Sequence, residues 1–209
     1  MSDSVKNVAV FGGTGMTGAA TVSLAAAEGY NVTVLVRDPK RLPAGHKASR
    51  VVVGDVTNRA DVQKTLEGQD AVIIVLGTRT DLSPTTMMSE GTRNIVESMR
   101  ARGISKVIGC MSAFLLWERS KVPPRLVPVT EDHDRMYVVL KESGLDYVAV
   151  MPPHIADDLP LTKVYAVTEN KLQGRSISKH DLAHFFVSCL STSEWDSKTV
   201  GVSGDYPKP

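Results

Sequence analysis

The run Val8-Ala9-Val10-Phe11-Gly12-Gly13-Thr14-Gly15-Met16-Thr17-Gly18 constrains the fold of this chain more than any other. An apolar strand passes straight into closely spaced glycines and then into the helical pattern of Ala19 to Glu28. Gly13-x-Gly15-x-x-Gly18 in that setting has the form of a dinucleotide-binding turn. Glycine is required because the chain must reverse tightly, the backbone must approach a pyrophosphate with no Cβ in the way, and the helix must pack close to the strand. The helix then turns its free N–H groups and positive dipole end toward the phosphates. Many ordinary turns match such a pattern alone. Here a strand precedes it, a helix follows it, and a second apolar strand, Asn31 to Val36, completes a βαβ unit.

The remaining chain keeps alternating. Strand patterns recur at Arg50 to Val56, Asp70 to Arg79, Lys106 to Met111 and Tyr147 to Met151. Between them, Asn58 begins a helix with Asp61 as capping partner, and Ser83-Pro84 begins one that runs to Arg102 and stops at Gly103. A further helix spans Thr130 to Ser143 and ends at Gly144, and Ser178, with Asp181, caps a last one reaching Leu190. The stretch over 155–176 is irregular and reads as a small lid with a strand near Lys163 to Thr168. The chain has 209 residues, the length of one domain. Alternation of this kind predicts an α/β fold: a Rossmann-like doubly wound parallel sheet with helices on both faces, and ligands gathered at the carboxyl ends of the strands.

Charge narrows the partners. Lys and Arg total 24 against 23 Asp and Glu, a net charge of +1, so no overall field favours nucleic acid or an anionic membrane. Met1 to Lys6 lacks the basic and apolar regions of a signal peptide, and no apolar run is long enough to span a bilayer, so a cytoplasmic location is expected. Two cysteines, Cys110 and Cys189, form neither a metal pattern nor a disulfide framework and are expected to be reduced. No metal is expected. With no extended apolar helix face, a monomer is the expected state.

Locally the balance differs. Arg37-Asp38 closes the second strand about 20 residues past the glycine turn, where the residue that selects the coenzyme belongs. An acid there binds the ribose 2′-hydroxyl of NAD, whereas an arginine receives the 2′-phosphate of NADP. Arg37, Lys40, Arg41, Lys47 and Arg50 face the single acid Asp38 over this stretch, which favours NADP; Lys47 and Arg50 are taken as solvated surface charge. At the end of the third strand, Asp55 and the Val56 amide fit two readings, an adenine contact or a turn approaching the next helix.

Several stretches together carry a family resemblance over nearly the whole chain: Phe11 to Gly18, Val34 to Asp38, Gly77 to Thr86, Ser112-Ala113-Phe114-Leu115-Leu116-Trp117, Val122-Pro123-Pro124-Arg125-Leu126 and Val150-Met151-Pro152-Pro153-His154-Ile155. They resemble the NADPH-dependent flavin reductases, also called biliverdin-IXβ reductases, of the atypical short-chain dehydrogenase group. The resemblance implies about seven parallel strands, NADPH as hydride donor, and planar conjugated acceptors: free flavins (FMN, FAD, riboflavin) and non-α biliverdins such as biliverdin IXβ. Flavin would then be a substrate and not a tightly bound cofactor. It also implies coenzyme contacts at Gly12, Thr14, Gly15, Met16, Thr17, Arg37, Arg41, Asp55, Val56, Leu76, Gly77, Met88, Cys110, His133, His154 and Ile155. The acceptor would rest over the nicotinamide against Ser112, Phe114, Trp117 and His154, with Arg125 and Arg175 for phosphate or propionate groups.

Hydride transfer to an electron-poor ring needs stacking and alignment above all, and the proton can come from water because the reduced acceptor is a delocalised anion. Ser112 has two readings, polarising the acceptor or positioning the nicotinamide carboxamide, or bonding its own backbone at a strand end. His154 is a catalytic candidate only through the resemblance. Tyr137-Val138-Val139-Leu140-Lys141 departs from the family's chemistry, matching the Tyr-x-x-x-Lys of acid–base short-chain dehydrogenases. His133 lies one helical turn earlier on the same face, and His133, not Tyr137, is expected to reach the site. Cys110 and Cys189 are read as small buried residues, with reversible thiol modification as the alternative. Two rival functions remain: a carbonyl dehydrogenase or epimerase using Ser112, Tyr137 and Lys141, and a non-enzymatic NADP(H) redox sensor.

Overall fold

The structure, a computed structural model, describes residues 4–206. The described chain forms, in order, β1 (Asn7–Phe11), α1 (Met16–Ala27), β2 (Asn31–Val36), β3 (Arg50–Val53), α2 (Arg59–Thr65), β4 (Ala71–Ile74), α3 (Met87–Arg102) and β5 (Lys106–Cys110). It continues with α4 (Val127–Lys141), β6 (Asp146–Met151), β7 (His154–Ala156), β8 (Ala166–Glu169), β9 (Ser176–Ser178), α5 (Lys179–Ser188) and β10 (Lys198–Ser203). The main sheet has the order β3-β2-β1-β4-β5-β6-β10-β8, parallel throughout except for β8, which lies antiparallel at the edge. The expected α/β architecture is present, with helices on both faces.

Side chains alternate across a strand, and β1 shows the consequence. Val8 and Val10 join Val22, Ala25, Leu182 and Phe186 under α1 and α5. Ala9 and Phe11 join Val62, Ile95, Met99 and Leu140 under α2, α3 and α4. A strand buried on both faces has no polar side to show, which is why Ala71 to Ile74 reads as an unbroken apolar run.

Several boundaries differ from the sequence reading. The fourth strand ends at Ile74, and α3 opens at Met87, not at Ser83-Pro84. The Ser83 amide and hydroxyl are both taken by the Asp81 carboxylate, which makes a turn there in place of a helix start. Helix α4 starts at Val127, inside the proline-rich stretch, with Pro128 in the first turn, where a missing N–H costs nothing. Asn58 caps α2 as expected, its side chain accepting from the Ala60 and Asp61 amides. The Asp61 carboxylate, however, serves the Asp55 amide at 2.9 Å. Strand β10 had no distinct signal in Lys198-Thr199-Val200-Gly201-Val202-Ser203, and it forms by pairing parallel to β6. The expected lid contributes β8 to the edge of the main sheet, while β7 and β9 pair in a small sheet of their own. No described helix is long and apolar enough to cross a membrane.

Candidate functional site

The order of the sheet reverses between β1 and β4: the chain runs from β1 through β2 to β3, then crosses to β4 on the other side. Loops leaving the carboxyl ends of these two strands diverge, and the crevice between them is where such sheets take ligands. A cleft of about 560 Å³ opens here, within the roughly 300–1,000 Å³ of ligand pockets. Gly12, Thr14, Gly15, Met16, Thr17, Arg37, Asp55, Val56, Leu76, Gly77, Met88, Cys110, His133 and Ile155 all line it.

Its floor is the glycine turn. The tight reversal falls on Gly12 and not on Gly13: Gly12 has φ +92°, and a Cβ there would lie 2.1 Å from the Val75 carbonyl oxygen. At Gly18 a Cβ would lie 2.0 Å from the Gly12 oxygen, so any side chain would push α1 off the turn. Helix α1 has no side-chain cap and no acid in its first turn, which leaves its opening amides and positive dipole end to an anion. A Cβ at Gly77 would meet no protein atom, so the space beside that backbone belongs to the cleft. The floor fits a pyrophosphate, and the lining residues fit a dinucleotide.

At the end of the cleft under β2 and β3, Arg37 lines the wall. Asp38 is engaged elsewhere: its carboxylate accepts the Lys40 amide at 3.0 Å and caps the short turn Pro39–Arg41. Arg41 is exposed on that turn, outside the cleft lining. Asp55 makes the turn that approaches the next helix, its carboxylate accepting the Thr57 amide (2.9 Å) and hydroxyl (2.7 Å), and it also lines the cleft. Those two bonds, with Arg37 nearby, hold its carboxyl below the usual range against a smaller effect of burial. Positive charge and a stably ionised acid thus share this end.

The opposite end lies under β5 and β6. Burial lowers His133 to about 4 while neighbouring Asp132 opposes the shift, so the imidazole facing the cleft is neutral at physiological pH. The Tyr137 hydroxyl shares a 2.8 Å hydrogen bond with Thr199 Oγ1 on β10 and does not line the cleft. Lys141 lies over the Tyr137 ring, 5.8 Å from its centre. The Tyr137 hydroxyl is thus engaged by the sheet, and none of Ser112, Tyr137 and Lys141 lines the cleft. Cys110 lines the cleft but is buried, and burial raises its thiol to about 12; Cys189 is raised likewise to about 12. Both are thiols and not nucleophilic thiolates at neutral pH.

Beyond this end stands a ledge. Ser112 follows β5 and Met111, and its hydroxyl accepts the Phe114 amide at 3.2 Å, the self-bonding reading of this serine. The turn it caps carries Phe114 and Trp117, packed edge to face with centroids 4.9 Å apart at 84°. Trp117 is 48% exposed. His154 is exposed on β7, paired in register with Ser176, and Arg175 is exposed immediately before β9. Arg125 is exposed on the proline-rich loop. None of Ser112, Phe114, Trp117, Arg125, His154 and Arg175 lines the cleft itself.

Thr78, Arg79, Thr80, Leu82, Met87 and Val129 also line the cleft and carry no site reading in the sequence. Arg79, in the loop between β4 and α3, has a left-handed backbone (φ 58°) and reaches across to the Thr14 carbonyl (3.2 Å) and hydroxyl (3.3 Å). Its signal was an arginine two residues past Gly77, at the end of the strand beside the glycine turn.

Fold and cleft together define a dinucleotide-binding protein of Rossmann type. The comparison with known families is consistent: the chain belongs to the NAD(P)H-binding family whose model matches residues 12–193. It is 28% identical to an uncharacterized chloroplastic protein of Arabidopsis thaliana, over 94% of this chain and 76% of that one. It is 30% identical to a 3-diazoavenalumate denitrifying reductase of Streptomyces over 66% of this chain, but only 46% of that protein is spanned. Among solved structures, a candidate NADH-flavin reductase from Streptococcus pneumoniae superposes with a TM-score of 0.79 at 18% identity, covering 96% of this chain and all of that one. A short-chain dehydrogenase/reductase from Veillonella parvula in complex with NADP gives 0.75 at 18% identity, over 96% and 95% of the two chains. At such identity these structures share the fold.

Proposed function

We propose that this protein is an NADPH-dependent reductase that passes hydride from the nicotinamide to free flavins and to non-α biliverdins such as biliverdin IXβ. The observation that carries the reading is the asymmetry of the site. Arg37 lines one end while Asp38 is committed to its own turn, and at the other end Met111 leads through Ser112 into the turn that carries half-buried Phe114 and exposed Trp117. The coenzyme supplies the hydride. The chain supplies a basic grip for a 2′-phosphate, a glycine floor for the pyrophosphate, and the exposed Trp117 indole, against which a conjugated ring can stack. Flavin reduction is supported by the fold shared with the candidate NADH-flavin reductase, although the charge at Arg37 argues for NADPH here.

Ser112 and His154 are the groups proposed to contact the acceptor, with Arg125 and Arg175 for its anionic substituents. His133, held neutral, can donate or accept one hydrogen bond at the coenzyme without adding charge. Flavin reduction is favoured over the carbonyl dehydrogenase reading because the Tyr137 hydroxyl is shared with Thr199 and lies outside the cleft.

The test is consumption of reduced nicotinamide with FMN as acceptor, comparing NADPH with NADH. Turnover is expected with a strong preference for NADPH, and Trp117→Ala is expected to raise KM for FMN while leaving KM for NADPH unchanged. Absence of turnover with flavins and with biliverdin IXβ refutes the proposal.

A further inference from the structure

Helix α3 opens at the edge of the cleft with no cap from Thr86, and of its first amides only Met87 is taken locally, by the Thr85 hydroxyl at 3.2 Å. The next two are capped from another helix. Asp132, on α4 and fully buried, accepts the Met88 amide at 2.9 Å, lies 3.4 Å from the Ser89 amide, and takes the Ser89 hydroxyl as a further donor. Arg135, one turn along α4, donates to the same carboxylate through Nε (3.3 Å) and Nη2 (3.2 Å). The same Nη2 also donates to the Thr85 carbonyl at 2.7 Å.

These bonds meet at one place, the hinge where the loop of residues 75–86 joins α3. That loop carries Gly77, Arg79, Thr80 and Leu82 into the cleft. Its other end is already fixed, because Val75 continues the pairing with β1 through its amide on the Phe11 carbonyl at 2.8 Å. Asp132 and Arg135 do not themselves line the cleft, and their bonds to Met88 and Thr85 fall where its loop meets α3. Every group around the Asp132 carboxylate is a donor, and two of them, the Arg135 cation and the positive end of α3, carry charge that a neutral amide cannot balance.

We propose that Asp132 and Arg135 form a strut that positions the 75–86 loop for the coenzyme, so that they set affinity for the pyrophosphate and nicotinamide half of NADP(H) without contacting it. A loop held in place before binding loses little freedom when the ligand arrives, whereas a released loop must be ordered at the expense of affinity. The adenosine half, gripped at Arg37 on the far side of the switch point, does not depend on the strut. The inference concerns coenzyme binding and stands whether or not flavin is the acceptor.

The experiment is calorimetric titration of the full-length protein, and of the variants Arg135→Met and Asp132→Asn, with NADP⁺ and with adenosine 2′,5′-bisphosphate. Arg135→Met is the principal variant, since Arg135 is half exposed and Asp132 retains its amide donors. Its affinity for NADP⁺ is expected to fall roughly 3- to 10-fold, the effect of ordering one or two released groups, with affinity for the bisphosphate unchanged. Asp132→Asn is expected to show the same split together with a lower Tm. If Arg135→Met binds NADP⁺ as tightly as the parent, or if both ligands weaken in parallel, the strut has no positioning role and the proposal is wrong.

Discussion

Removing the Arg37 guanidinium isolates the physical basis of coenzyme choice. Arg37 is exposed at the end of β2 and lines the cleft, so its replacement by alanine leaves no buried hole and should not disturb the sheet. A hydrogen bond to a charged group is worth about 1.5–3 kcal/mol, and an exposed arginine belongs at the low end because solvent screens it. The expected loss in NADPH affinity is therefore about tenfold, at 1.4 kcal/mol per factor of ten. NADH should be unaffected in either direction. Asp38 cannot take over the ribose hydroxyls while its carboxylate holds the Lys40 amide. Steady-state KM values for both coenzymes with FMN, at low and high salt, provide the measurement. In the parent protein, salt should weaken NADPH more than NADH; in Arg37→Ala the two should respond alike. An NADPH-to-NADH ratio that the substitution leaves unchanged refutes the assignment of the 2′-phosphate to Arg37.

Three further outcomes follow from the geometry. Tyr137→Phe removes a hydroxyl bonded, among the described residues, only to Thr199 and should retain flavin turnover while lowering Tm slightly, by loss of a bond worth about 1 kcal/mol; abolished turnover at intact NADPH affinity would restore the acid–base dyad. Burial raises Asp181 while bonds from Thr162, Lys163 and Tyr206 lower it by more, so its pKa lies below the ordinary 3.8. A depressed carboxyl stabilises the fold fully above its unfolded pKa and loses that contribution as pH falls through the folded value. The Tm gap between the parent and Asp181→Asn should thus be constant near neutrality and close in acid below about 4. Both thiols, raised to about 12, should resist alkylation in the folded protein at neutral pH and react only after denaturation; fast labelling of Cys110 would contradict its burial.

How much could be read beforehand is clear from particular residues. Gly12 to Gly18, the apolar β1 and β4, and Arg37 at the tip of β2 are local signals, since backbone freedom, two-faced burial and charge at a strand end are properties of short stretches. The glycine turn and the lining residues at Arg37, Asp55 and Gly77 were legible for that reason. His133 and Tyr137 were both plausible from spacing, and only packing chose between them by bonding the tyrosine to β10, itself a strand without a sequence signal.

The sequence by itself determined the wrapped parallel sheet, the glycine floor and the basic coenzyme end, because each depends on residues adjacent in the chain. Tertiary structure alone decided that Arg79 bridges to Thr14 and that α3 takes a cap from Asp132 more than forty residues away in the chain. These are meetings of distant donors and acceptors, fixed only when the two faces of the sheet are covered and buried polar groups must find partners within reach.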